Sequence, residues 1–123
     1  SACVPNFYIY SSQISDDTPA RGQTVVVTTR FINNGTSSTY TPFVGYYIST
    51  DATWSPLTDI LGQETQITIS AANRNEYTLE EKFTVPTTAP VGNYYLLIVV
   101  DNRKQYAESN ESDNVYVMKI SIN

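Results

Sequence analysis

Polar and apolar residues alternate with a period of two along much of the chain, the pattern of β-strands that bury one face. The alternation is clearest in three segments, which predict strands over Thr24–Ile32, Tyr77–Val85 and Val115–Ile122. In the second segment Glu81 interrupts the apolar side, and the pattern gives no reason for it. Asn93–Val100 is apolar on both sides, which predicts a central strand that is covered on each face.

Shorter segments with the same character complete the set of predicted strands: Asn6–Tyr10, Pro42–Ser49, Ile60–Gln63 and Thr65–Ser70. Turns rich in Pro, Gly and Asn separate the segments, and no window of a dozen residues has helical periodicity. The pattern therefore predicts an all-β fold, a two-sheet antiparallel β-sandwich of about seven strands. With 123 residues and 41% hydrophobic residues, we expect residues 1–123 to form a single domain with one core.

Alternating strand directions predict where the connections lie. Successive connections should emerge at opposite ends of the sandwich, with 11–22, 50–59 and 86–92 at one end and 33–41, 71–76 and 101–113 at the other. The acidic loop that contains Asp51 and Asp59 should then stay apart from the acidic loop that runs from Asp101 to Asp113. One metal ion is not expected to bind residues from both loops.

Composition excludes several classes of function. The chain has no histidine, which excludes Ser-His-Asp and Cys-His catalysis and imidazole zinc sites. A net charge of −5 argues against nucleic acid as a partner, and no apolar run approaches the roughly 20 residues of a membrane span. No basic, apolar leader opens the sequence, so we expect any export signal to lie outside it. The single cysteine, Cys3, is interpreted as a spare thiol or as a link between two chains.

The loop before the last predicted strand is the densest polar stretch and a candidate calcium site. It carries four carboxylates, from Asp101, Glu108, Glu111 and Asp113. Calcium takes about six to eight oxygen ligands, although the spacing here lacks the turn glycine of an EF-hand. The alternative interpretation is a long turn that Asn and Asp side chains shape by bonding to their own backbone.

The other acidic loop offers a second candidate for a cation. Asp51 and Asp59 could hold it between them, or Asp51 could form an Asx turn while Asp59 closes the loop. Two carboxylates also suggest a glycosidase. A small sandwich has no deep cleft to raise the pKa of one of them by desolvation, however, so we expect no enzyme.

Aromatic side chains supply the candidate ligand-binding residues. Trp54 lies in the Asp51 loop, and exposed it would stack on a sugar face or anchor a protein contact. Tyr46, Tyr47 and Tyr106 are the tyrosine candidates for the same platform. The alternative is that Trp54 plugs the end of the sandwich and the tyrosines stabilise the sheets through cross-strand aromatic pairs.

An ordered series of short motifs along essentially the whole chain resembles the CARDB domain, the cell-adhesion-related domain of bacteria and archaea. The motifs are GYYISTDAT at 45–53, DILG at 59–62, PVGNYY at 90–95, Asp101, and ESNESDN at 108–114. The resemblance implies an immunoglobulin- or fibronectin-III-like module that is secreted or on the cell surface. It also implies that the module acts beside flanking domains of a larger bacterial protein. It carries over no binding residues.

Two functions are therefore expected. The first is a non-catalytic extracellular adhesion or accessory module whose partner is a protein or glycan surface. The second is a carbohydrate-binding module with structural Ca²⁺ and stacking aromatic residues. Trp54 packed inside favours the first, and a flat, solvent-facing Trp54 favours the second.

Overall fold

The chain forms two antiparallel sheets, which confirms the predicted sandwich. The computed structural model describes residues 4–55, 59–106 and 114–123, and Cys3 lies outside these ranges. Its strands are β1 (Phe7–Ile14), β2 (Thr24–Asn33), β3 (Phe43–Ser49), β4 (Ile60–Gln66), β5 (Glu76–Thr84), β6 (Gly92–Val100) and β7 (Val115–Ile122), with a 3₁₀ turn at Ala71–Asn73. One sheet has the order β1-β2-β5 and the other the order β4-β3-β6-β7.

Two predicted strand regions differ from the structure by more than one residue at an end. β1 continues beyond Tyr10 because the register shifts between Ile9 and Ser11, which lets pairing with β2 go on to Ile14. The predicted strand Thr65–Ser70 is wrong, because 60–66 form one strand. The register of that strand also shifts, so that Gln63 pairs with Tyr46 but Leu61 with Tyr47. The extra residue is Gly62, where a Cβ would collide with the ring of Phe83.

The core lies between the sheets, and the largest of its fully buried side chains come from both. They include Phe7, Phe31, Phe83, Tyr46, Ile67, Ile69, Leu96, Ile98 and Ile122. A smaller cluster of Tyr47, Leu97 and Val99 lies on the outer face of the four-stranded sheet. β6 is therefore covered on both sides, as its apolar sequence predicts, and its last five residues are at most 1% exposed.

The two acidic loops begin at opposite ends of the four-stranded sheet. Ser49 pairs with Tyr95 and Val44 with Val100, so Asp51 and Asp101 follow opposite ends of the β3–β6 pair. This confirms the predicted separation of the two aspartates. The described parts of the two loops nevertheless approach each other, because the ring of Trp54 lies 5.9 Å from Nζ of Lys104.

Glu81 joins the edges of the two sheets. β5 is an edge strand of one sheet and β4 an edge strand of the other. Glu81 accepts a hydrogen bond from Nε2 of Gln63 at 2.8 Å and another from Oγ1 of Thr65 at 2.7 Å. The break in the apolar pattern of β5 is thus a polar contact that satisfies two half-buried donors across the sandwich.

Glu64 holds the start of the connection between β6 and β7. Its carboxylate accepts bonds from Nη2 of Arg103 at 2.7 Å, from Nε of Arg103 at 3.1 Å and from Nδ2 of Asn102 at 3.0 Å. The Arg103 bonds are the main cause that lowers the pKa of Glu64 below its ordinary value. Gly45 leaves room for this contact, because a Cβ there would lie 2.5 Å from Nδ2 of Asn102.

Replacing Glu81 should destabilise the sandwich. We expect Glu81→Ala to lower the free energy of unfolding by about 1–3 kcal/mol, because the donors of Gln63 and Thr65 lose their acceptor. Urea denaturation measures the change. Glu80→Ala is the matched control on the exposed side of the same strand, and it should stay within about 0.5 kcal/mol of the unchanged protein. Equal losses for the two variants would contradict the bridging role of Glu81.

The contribution of Glu64 should depend on pH. The pKa of Glu64 is lower in the folded than in the unfolded chain, so its ionised form stabilises the fold at pH values above the unfolded pKa of about 4.3. This stabilisation is lost as pH falls through the folded pKa. We expect Glu64→Gln to lower the free energy of unfolding by about 0.5–1 kcal/mol at pH 7. The loss should become smaller as pH falls below about 4. Urea denaturation across this range measures it. For the control Glu80→Gln, a comparable dependence on pH would refute the assignment to Glu64.

Candidate binding site

Two of the four aromatic side chains proposed as ligand-binding residues are buried within the fold. Tyr46 is fully buried between the sheets, and its burial raises the pKa of its hydroxyl, which stays protonated. Tyr47 is 6% exposed, and its hydroxyl accepts a bond from Nδ2 of Asn102 at 2.9 Å. Tyr106 makes edge-to-face contacts with Phe7 and Tyr40. The ligand-binding assignment of Tyr46 and Tyr47 is therefore corrected to a structural one, whereas that of the half-buried Tyr106 stays a prediction.

Trp54 packs onto the outer face of the four-stranded sheet. Its ring centre lies 5.7 Å from that of Tyr47, and its Nε1 is buried. The connection between β3 and β4 thus folds back to cover part of the apolar cluster formed by Tyr47, Leu97 and Val99. The ring is half-buried, so it covers the sheet and is not a free flat platform.

The described carboxylates of the two candidate metal sites bond to their own loops. Asp51 accepts from the backbone N–H of Thr53 at 3.0 Å, which is the Asx turn of the alternative interpretation. Asp59 accepts from the N–H of Ser55 at 2.7 Å. Asp101 is 1% exposed and accepts from the N–H groups of residues 105 and 106.

The other proposed ligands, Glu108, Glu111 and Asp113, lie outside the described residues. Within 4–55, 59–106 and 114–123, no three acidic or cysteine side chains are grouped closely enough to hold one metal ion.

A cleft of about 440 Å³ lies where the connection between β1 and β2 meets the β6–β7 hairpin. Asp17 and Thr18 form one side, and the other side is formed by the paired strands, which contribute Asn93, Tyr95, Lys119 and Ser121. Asn93 pairs with Ser121 and Tyr95 with Lys119, so these four side chains occupy adjoining positions of the sheet. The hydroxyl of Ser121 donates to Oδ1 of Asn93 at 2.7 Å.

The rim of this cleft is anchored by the backbone. The N–H of Ser121 donates to the carbonyl of Asp17, and the N–H of Asn123 to that of Pro19, both at 2.9 Å. Asp16 accepts from the N–H of Thr18 at 2.9 Å, and this bond is the main cause that lowers its pKa. Segment 17–19 is therefore tied to the end of β7 by two backbone hydrogen bonds.

Sequence reasoning missed the cleft as a site. The motif PVGNYY contains Asn93 and Tyr95, but alternation along one strand does not reveal which residues stand beside them. The pairing of β7 with both β6 and the segment 17–19 brings together positions more than 100 residues apart. No local signal in the sequence carries that information.

An apolar row crosses the outer face of the four-stranded sheet. Leu61 pairs with Tyr47, Tyr47 with Leu97, and Leu97 with Val117, so one residue of each strand lies in the row. The middle pair is buried, whereas Leu61 is 47% and Val117 is 41% exposed. The ends of the row therefore reach solvent on both sides of Trp54. In the described part of the chain, no helix has the length and apolar character to cross a membrane.

Solved structures with the same fold include domains of archaeal surface and CARDB proteins. The CARDB domain of a Pyrococcus furiosus protein, in complex with di-metal ions, is 18% identical with a TM-score of 0.68, over 98% of this chain and 90% of that one. A domain of a Methanosarcina acetivorans protein, provisionally named a cell surface protein, is 17% identical with a TM-score of 0.66, over 98% and 93%.

A third similar structure belongs to a much longer enzyme. Listeria innocua β-glucosidase in complex with glucose is 13% identical with a TM-score of 0.64, over 97% of this chain but 16% of the enzyme. At these identities the likeness shows the fold alone. No curated protein matches the sequence.

The family comparison gives a direct match. The CARDB model matches residues 4–118, nearly the full length of the chain. The match covers both sheets, from before β1 to within β7. The chain belongs to the CARDB family.

Proposed function

We propose that this CARDB domain is a non-catalytic extracellular adhesion or accessory module of a larger bacterial secreted or surface protein. It acts by contact with a protein or glycan surface, beside flanking domains of the parent polypeptide. The observation that carries the proposal is the apolar row on the outer face of the four-stranded sheet, whose ends at Leu61 and Val117 are exposed. The two exposed ends are joined by the buried pair Tyr47 and Leu97 into one continuous apolar row across the sheet, and continuous apolar surface that reaches solvent is typical of contact surfaces.

The packing of Trp54 supports contact through this face. Its ring covers the middle of the row above Tyr47, and Lys104 lies over the ring at 5.9 Å. Charged groups lie beside this apolar centre near Tyr47, because Lys104 lies over the Trp54 ring and the Arg103–Glu64 pair contacts Asn102, which bonds to the Tyr47 hydroxyl. An apolar centre with a polar rim is the usual composition of a protein contact surface.

The contact proposal is tested by adhesion of the domain. We expect beads coated with the chain to be retained on surfaces coated with extracellular-matrix proteins or bacterial cell-wall polysaccharides. The double variant Leu61→Ser/Val117→Ser should bind about tenfold more weakly, because each side chain loses buried apolar area in the contact. The measurement is bead retention under flow, with thermal melts to show that the variants fold.

The matched control is Tyr10→Ser/Val91→Ser. These two residues are 57% and 61% exposed and lie outside the apolar row. Retention of the control should equal that of the unchanged chain. Equal weakening of both variants, or no retention of the unchanged chain on any surface, would refute the proposal.

The second candidate function, a carbohydrate-binding module with structural calcium, makes a different prediction for stability. A tight site in the folded state would raise the unfolding midpoint with Ca²⁺ concentration. We expect millimolar Ca²⁺ to leave the midpoint within about 1 °C of its value in chelator, because Asp51, Asp59 and Asp101 already bond to backbone N–H groups of their own loops. A thermal melt by circular dichroism decides the point. A rise of several degrees would favour the calcium-bearing module.

A further inference from the structure

We propose that the cleft between the connection 15–23 and the β6–β7 hairpin binds one saccharide unit of a glycan. This deepens the proposed contact function and rests on it, since it names glycan as a partner and gives the place of contact. The groups that would bind the sugar are the side chains of Asp17, Asn93, Tyr95 and Lys119.

The size and chemistry of the cleft fit a sugar. Its volume of about 440 Å³ lies within the usual range for small-ligand sites. A carboxylate, an amide, an ammonium and a hydroxyl line it, and together they offer both donors and acceptors to vicinal sugar hydroxyls. The ring of Tyr95 adds an apolar surface for the C–H side of a pyranose.

Two of these groups have no competing partner in the described part of the chain. No hydrogen bond or ion pair of the Asp17 carboxylate or the Lys119 ammonium is found there, and both residues are exposed. By contrast, Asp16, Asp51, Asp59 and Asp101 all accept bonds from their own loops. Asp17 and Lys119 are therefore available to a ligand, and their opposite charges leave the cleft close to neutral.

The remaining groups are held in place before any ligand arrives. The hydroxyl of Ser121 donates to Oδ1 of Asn93, which leaves the amide donors of Asn93 for another acceptor. Tyr95 packs against the outer-face cluster of Tyr47, Leu97 and Val99, so its ring has a fixed support. Pre-positioned groups of this kind reduce the ordering cost of binding.

The same geometry disfavours an extended peptide as the ligand. A peptide that adds to a sheet needs free N–H and C=O groups along an edge strand. At this end of β7 the N–H groups of Ser121 and Asn123 already donate to the carbonyls of Asp17 and Pro19. The edge is therefore closed here, whereas side-chain hydrogen bonds to a sugar remain possible.

A glycan array followed by NMR titration tests the proposal. We expect the chain to bind oligosaccharides on an array of bacterial, plant and animal glycans. Titration with the best oligosaccharide should then shift the amide signals of residues 17, 18, 93, 95, 119 and 121. The double variant Asp17→Ala/Lys119→Ala should bind at least tenfold more weakly, because both hydrogen-bonding charges are lost.

The matched control is Glu80→Ala/Lys82→Ala, which removes one acid and one base from exposed positions of β5 in the other sheet. Its affinity should stay within twofold of the unchanged chain. Array binding that the cleft variant leaves intact would overturn the cleft as the site and leave a glycan contact elsewhere.

No binding on the array and no shifts with millimolar sugar would also overturn the cleft proposal. The contact function is then judged separately by the Leu61 and Val117 variants on protein-coated surfaces. The two failures are distinguishable, because the cleft is judged by sugar binding and the contact function by retention on protein-coated surfaces.

Discussion

The structure depends on the pairing of β3 with β6, two neighbouring strands that are buried on both faces. In β3 six of seven residues are buried, and in β6 the last five are. One side of this pair faces the three-stranded sheet across the main core, and the other side lies beneath Trp54 and its cluster. Because hydrophobic burial is proportional to the area removed from water, strands covered twice contribute more than edge strands of the same length.

The double cover explains which features the sequence predicted correctly. Asn93–Val100 has apolar residues on both faces of the strand, so its central position in the sheet could be predicted from the sequence. In β2, β5 and β7 every second residue is mostly polar, so the sequence also predicts that each strand buries one face. Alternating directions then placed Asp51 and Asp101 at opposite ends, as the register of β3 with β6 confirms.

The tyrosine assignment failed for the same physical reason. Tyr46 and Tyr47 are neighbours on one strand, so they point to opposite faces, and a half-exposed strand would leave one of them in water. β3 is not half-exposed: Tyr46 enters the main core and Tyr47 lies beneath Trp54. The covering segment comes from the connection between β3 and β4, and nothing in its composition predicts that it folds back over the sheet. The role of Glu81 could not be predicted from the sequence for a similar reason, because the partners of its carboxylate lie on the other sheet.

The two proposed contact surfaces are physically continuous at Tyr95. This residue packs against the cluster that contains Tyr47 and Leu97, and it also lines the cleft beside Lys119. Tyr95 thus lies between the apolar row and the polar cleft. Since the row is supported by the twice-buried strand pair, the position of the Tyr95 ring is set by the most deeply buried part of the molecule. The cleft therefore has a rigid wall from the sheet and a second wall from segment 17–19, which is fixed by backbone bonds to the end of β7.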